Sequence, residues 1–197
     1  MATVIGFKRG TYFIYDEDDK VVKTHVVEGK ANKGGMVEAS ISGLSAEPVK
    51  VYASNIAYYV AQKGTGSVEA SISVLDMTQE LQSDLLGRVE NEDGIVFIGS
   101  ETQPPYAGVL LESNALSGEP VFFALLKGKF ALDEQTMSTN EEEQAEPEAE
   151  EMTGSFVADA NGNTVATAKG EDKRAKMEAL FQNISDGTTT TTTTTTP

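Results

Sequence analysis

The hexapeptide Val-Glu-Ala-Ser-Ile-Ser occurs twice, at residues 37–42 and again at 68–73. Each copy follows a glycine-containing turn and alternates larger apolar residues with polar or small ones. In a strand this period of two puts Val37, Ala39 and Ile41 on one face and Glu38, Ser40 and Ser42 on the other. The second copy sets Val68, Ala70 and Ile72 against Glu69, Ser71 and Ser73 in the same way. Two equivalent half-buried strands follow, each with an apolar face that needs a second layer to cover it.

The rest of the chain carries the same signature. Residues 12–15 and 21–27 read as partner strands, with the polar run Asp16-Glu17-Asp18-Asp19 as their turn. Asp93-Gly94 stands before the apolar residues 95–98, and Asn161-Gly162 stands between residues 155–158 and 164–166. Both dipeptides signal hairpins because they tolerate positive φ. Residues 106–112 and 121–130 read as two longer strands, with Ser117-Gly118 in the loop between them. Two helices interrupt the strands. The first runs over 77–86, with Asp76 as cap, Gly87 as stop and Leu81 and Leu85 as its apolar stripe. The second runs from about Glu171 to Asn183, where Met177, Leu180, Phe181 and Ile184 fall at helical spacing and dock on a sheet. The expected architecture is mainly β, an antiparallel β-sandwich or small barrel with one or two flanking helices.

Two segments have little to bury. Residues 141–151 are dominated by glutamate, with Pro147 inside, and read as a disordered acidic loop or as a charged edge strand. From Thr188 the chain is polythreonine ending in Pro197, which reads as an extended tether. The expected organisation is one β domain over 1–184, with an acidic loop or insertion over 131–152, followed by a C-terminal tail over 185–197.

Charge narrows the range of functions. Thirty-one acidic against fifteen basic residues give a formal net charge of −16. Such a chain repels nucleic acid and anionic membrane, so it suits a surface that lets DNA pass without holding it. With no cysteine there is no disulfide or thiolate metal site. The N-terminus lacks a signal-peptide pattern, and no apolar run approaches the roughly 20 residues that span a bilayer. A soluble protein assembled in a cytoplasm is expected.

Catalytic chemistry finds few candidates. His25 is the only histidine. Glu28, three residues on, falls on the opposite face of a strand, so the two share neither a proton nor a metal. There is no G-x-S-x-G elbow, phosphate loop or dinucleotide fingerprint. Residues 159–163 lack the glycine and the later glutamate of a calcium loop. No catalytic, metal or cofactor site is expected.

A succession of landmarks does resemble a known family. It comprises Val51-Tyr52-Ala53-Ser54-Asn55, then residues 66–72, then Asp84-Leu85-Leu86-Gly87. Pro105-Tyr106-Ala107-Gly108-Val109 follows, then residues 118–130 with Leu126-Lys127-Gly128-Lys129-Phe130, then Met152-Thr153-Gly154-Ser155-Phe156-Val157-Ala158. In this order they resemble the phage major tail proteins of the phi13 and TP901 type, over roughly residues 1–184. The glutamate run stands where family members carry a mixed-charge, strand-like segment. The resemblance implies the tail-tube fold, two packed antiparallel sheets with a flanking helix. It implies rings, usually of six subunits, stacked head to tail into a tube that conducts DNA during ejection, in a virion assembled in the host cytoplasm. Tape measure, tail terminator and distal tail proteins are the implied partners besides the chain itself. Edge strands paired around such a ring form one inner barrel.

Within that reading Glu38 and Glu69, each flanked by serines, are the candidates to face the lumen. The competing reading is a surface-binding β-module for carbohydrate or adhesion, to which exposed aromatic platforms would point; the chain has no tryptophan. A third reading, a carboxylate hydrolase, rests on the number of acids alone.

Overall fold

The computed structural model describes residues 3–30, 33–137, 139 and 147–185. The polythreonine tail and most of the acidic run lie outside the described residues. Twelve strands and two helices follow in the order β1 (Val4–Tyr15), β2 (Val21–Val27), β3 (Gly35–Ser42), β4 (Val49–Ala53), β5 (Ile56–Ala61), β6 (Val68–Leu75), α1 (Gln79–Leu86), β7 (Val89–Glu90), β8 (Val96–Phe97), β9 (Ala107–Ala115), β10 (Pro120–Ala131), β11 (Glu150–Val157), β12 (Val165–Lys169) and α2 (Arg174–Gln182). A 3-10 turn, Glu171–Lys173, leads into α2.

The main sheet runs β2-β1-β9-β10-β11-β6-β3, with β12 also on β10. It bends at β10, which serves two layers. Its first half pairs with β9 and β12, and its second half with β11. The first layer is therefore β2-β1-β9-β10-β12 and the second β10-β11-β6-β3. They pack as a sandwich, and no barrel closes. Opposite Leu125–Gly128 of β10, strand β9 advances only from Val109 to Ala107, so β10 carries one extra residue there. A one-residue bulge reverses which side chains face which way. Before it, Phe122, Ala124 and Leu126 face α2. After it, Phe130 joins the core between the layers, and Lys127 and Lys129 turn outward.

The inter-layer core holds Tyr12, Ile14, Ile72, Leu81, Leu85, Val109, Leu125, Phe130 and Met152, all buried. Phe130 sits edge-on to Tyr12 at 5.9 Å and to Phe156 at 5.6 Å, so one ring ties β1, β10 and β11. A second core lies on the far side of the first layer, where Phe13 stacks on Phe181 at 4.2 Å beside Met177 and Ile184. Glu112, buried on β9, is held by Lys8, Arg9 and Arg174, which ties β1 and α2 to the sheet.

Several expectations change in detail. The Asp16–Lys20 turn is a hairpin as read, with Asp19 at φ 61°. The Asp93-Gly94 turn closes a hairpin too, but only β7 and β8, two residues each. The Asn161-Gly162 turn does not. Strands β11 and β12 lie end to end on one edge of β10, and the turn is a loop thrown out between them. Its tight geometry comes from Asp159 Oδ1, which accepts from the N–H groups of Asn161 and Asn163. Helix α1 is capped by Thr78 rather than Asp76: its hydroxyl accepts from the Leu81 N–H, and Asp76 sits at φ 53°. Leu180 of α2 is 38% exposed and stays out of the core. The repeat strands are not equivalent. β6 alternates cleanly, but a bulge between Met36 and Glu38 throws Val37 out to solvent at 54% exposure. Glu150 and Glu151, from the end of the acidic run, belong to β11. No helix among the described residues is long and apolar enough to cross a membrane.

Candidate functional site

The outer face of the second layer is mostly polar, with Val157 at its margin opposite Lys127 and Ala131 opposite Thr153. Its residues follow from the registers. Lys129 of β10 lies opposite Ser155 of β11, Ser155 opposite Glu69 of β6, and Glu69 opposite Ser42 of β3. Two residues further along, Thr153 lies opposite Ser71 and Ser71 opposite Ser40. The next row sets Glu151 opposite Ser73 and Ser73 opposite Glu38. Beneath this face the alternate residues Ile72, Ala70, Met152, Gly154 and Phe130 are buried, so pleat and core together hold the polar set outward.

Glu38 and Glu69 thus share one exposed face, as the repeat implied, but they are not neighbours. They sit on adjacent strands in different rows, separated by the serines. Among the described residues neither carboxylate has an ion-pair partner. Glu151, Thr153, Ser155, Lys127 and Lys129 complete the face. Reading β10 singly misses the two lysines, because their orientation depends on its bulge. Lys127 is held by Asp19 at 2.5 Å, whereas Lys129 lies 4.9 Å from the Tyr106 ring centroid and has no carboxylate among the described residues.

A second feature is apolar. The hairpin β4-β5 is a separate two-stranded sheet turned by Ser54 and Asn55, at φ 52° and 64°. Two consecutive positive φ values make a two-residue hairpin whose twist matches its strands. Tyr52, Tyr58 and Tyr59 are 67%, 76% and 58% exposed, and Val49, Val51, Ile56 and Val60 are at least half exposed. A two-stranded hairpin with nothing packed on it is marginal in water. An exposed apolar area of this size marks a contact surface. Smaller patches occur on β7-β8, at Val89, Ile95, Phe97 and Ile98. An open groove between β1 and β3 is lined by Val4, Phe7, Val37, Leu44 and Phe123.

His25 belongs to a polar cluster at the junction of β2 and α1. Its Nε2 lies 2.7 Å from Asp84 Oδ2 on α1, and Lys23 Nζ donates to both Asp84 oxygens at 2.8 and 3.0 Å. The Asp84 carboxylate raises the Lys23 pKa by hydrogen bond and charge. With Glu80, His25 and Asp84 bring three ligand atoms within 4.8 Å of one another. The Lys23 ammonium already neutralises the Asp84 carboxylate of this group. The cluster pins β2 to α1.

A family model described as phage tail tube protein matches residues 7–193. No curated protein matches the chain.

Proposed function

The chain belongs to the phage tail tube protein family and is a structural component of the virion tail, and from that premise we propose that its copies close into rings, six to a ring, that stack into a tube conducting DNA. The observation that carries the reading is the β4-β5 hairpin. It exposes aliphatic and aromatic side chains on an arm with no partner in its own chain among the described residues. In a head-to-tail assembly such an arm is covered by the next copy, and a heterologous contact of this kind propagates without limit along an axis. The tape measure, tail terminator and distal tail proteins would then meet the ends and the interior of the same tube.

The polar face of the second layer is the wall this reading assigns to the lumen. Glu38, Glu69 and Glu151 would project there, with serine and threonine between them, against Lys129 and a Lys127 already neutralised by Asp19. Carboxylates on a lumen wall repel phosphates that come within a Debye length, about 8 Å at physiological salt. DNA carries one charge per roughly 1.7 Å of duplex, so a cationic wall would hold it at many points, whereas this wall lets it slide.

A carbohydrate-binding module has one observation in its favour, the three exposed tyrosines. The aliphatic residues beside them argue for a protein surface instead, since a sugar platform needs the rings alone. The test is electron microscopy and sedimentation of the purified chain over a range of concentration and kosmotropic salt, which strengthens apolar burial. Tubes or stacked rings are expected. Monomer under all conditions, with or without other tail proteins, would refute the proposal.

A further inference from the structure

The two layers share β10 on one side. On the other they meet where β3 comes against β1, with no ladder between the two strands. Side chains make that contact, and Met36 is one of them. Period two would put Met36 on the same face as Glu38. The bulge between them breaks the parity. Met36 lies opposite the buried Val74 and turns inward, whereas Glu38 lies opposite Ser73 and turns out. Gly10 of β1 makes room for the thioether, since a Cβ there would lie 2.8 Å from Met36 Cε and 3.0 Å from Sδ.

Against this sulfur stands Tyr12. Its ring is fully buried and edge-on to Phe130, and its hydroxyl donates to Met36 Sδ at 4.0 Å. No other acceptor is in reach of this phenol among the described residues. A thioether accepts weakly, and buried hydroxyls are ordinarily paired with something better. Tyr15 shows the ordinary case, with the Leu126 carbonyl at 2.9 Å. Burial also holds the Tyr12 phenol neutral, and so a donor, by raising its pKa. Tyr12 therefore keeps an under-used proton against a sulfur that is only partly buried.

We propose that Met36 is an oxidative modification site, at which a peroxide converts the thioether to a sulfoxide and the Tyr12 phenol donates to the new oxygen. The sulfur attacks one oxygen of the peroxide and gives up a pair of electrons to form the S–O bond. The O–O bond breaks, and the departing oxygen takes the proton of the attacked one and leaves as water. The chain has no cysteine, so no thiol takes the oxidant first. Exposure then selects among the methionines. Met137 is open to solvent, and Met77, Met152 and Met177 are buried. Met36 alone among the described residues is both reachable and set against a buried donor. An oxygen added to a methionine in an apolar site is usually left unpaired there. At Met36 it meets the partner that the sulfur serves poorly.

Neither ring nor tube enters, so the test uses the full unassembled chain, treated with hydrogen peroxide and mapped by peptide mass. Met36 should convert after Met137 and well before Met77, Met152 and Met177. A Met36 still reduced when Met137 has fully reacted overturns the site. So does a Met36 that reacts only together with the buried three, because then the chain has opened. The role of Tyr12 is read from melting temperature and near-ultraviolet absorption. Oxidation should shift the wild-type melt by about 2 °C or less and the Tyr12→Phe melt by roughly 5 °C more, the effect of a polar group left unpaired. The oxidised wild type should also show a tyrosine red shift, from a phenol that donates to a stronger acceptor, and Tyr12→Phe should lack it. Equal losses in the two chains, or no red shift, overturn the pairing. If Tyr12→Phe does not fold, Met36→Gln and Met36→Leu decide. The amide oxygen of Met36→Gln can take the same hydrogen bond, so this variant should melt no lower than Met36→Leu; a melt several degrees lower refutes the role of the phenol.

Discussion

Replacing Tyr52, Tyr58 and Tyr59 with serine separates folding from assembly. The three rings are 67%, 76% and 58% exposed. At about 200 Å² each they leave on the order of 400 Å² to be covered, worth up to about 10 kcal/mol at ~25 cal/mol per Å². Association takes back much of this through lost freedom and imperfect contacts. Even a quarter of it, about 2.5 kcal/mol per copy, raises the concentration at which tubes form roughly sixtyfold. Within the monomer the same rings touch little, so each change should alter stability by about 0.5 kcal/mol or less. Calorimetry should give a melting temperature close to that of the unassembled wild type, while sedimentation velocity and electron microscopy show monomer where wild type forms tubes. A triple variant that assembles at the wild-type concentration would refute the role of the arm.

Glu69→Lys should leave tubes intact and slow DNA ejection from phage carrying it, most at low salt, where the Debye length is longest; normal ejection at low salt would place Glu69 away from the lumen. Burial raises the Tyr12 pKa above its ordinary value. Burial first, and then the Asp19 and Asp159 charges, do the same for Tyr15, whose hydroxyl donates to the Leu126 carbonyl at 2.9 Å. The fold therefore favours the neutral phenols, a contribution complete below about pH 10 and lost as pH rises through the raised values; ultraviolet titration should show these two of the six tyrosines ionising only as the chain unfolds. Gly87→Ala should destabilise the domain by more than about 2 kcal/mol by thermal melting, through a left-handed φ of 65° and a Cβ that would lie 2.0 Å from the Gln103 carbonyl oxygen.

Local chemistry was legible where one segment decides the outcome. The turn at residues 16–19, the glycine stop at Gly87 and the alternation of residues 68–73 each depend on neighbours in sequence, and each stands as read. Apart from the cap of α1, which is Thr78 and not Asp76, the errors come from partners distant in sequence. Asn161-Gly162 has hairpin chemistry, but β11 and β12 find β10 rather than each other, and a turn dipeptide cannot report that. The arm was visible only as the landmark Val51-Tyr52-Ala53-Ser54-Asn55, because nothing local says that its apolar residues stay uncovered. Glu38 and Glu69 could be placed on polar faces by period two alone. That the faces coincide, and that Lys129 completes them, required the pairing of β3 with β6 and the bulge in β10.

The two layers bury their faces differently, and this difference links the fold to assembly. The first layer has apolar side chains on both sides. Phe13, Phe122 and Phe181 fill one and Tyr12, Val109 and Leu125 the other, so α2 and the inter-layer core between them use up its surface. The second layer is covered on one side only, and its other side carries hydroxyls and carboxylates together with Lys127, Lys129 and Val157. Had β10 kept one parity throughout, Lys127 and Lys129 would point into the inter-layer core and Phe130 out of it, at a cost of several kcal/mol for each buried, unpaired charge. One extra residue near Leu126 therefore lets a single strand stay buried on both faces in its first half and present a wet face in its second. That second half is also where β9 stops pairing and residues 103–106 run beside Lys127 and Lys129 instead. The bulge that turns Lys129 outward also brings its ammonium over the Tyr106 ring, 4.9 Å from the centroid, so the wet half of β10 is braced by the segment that leads into β9.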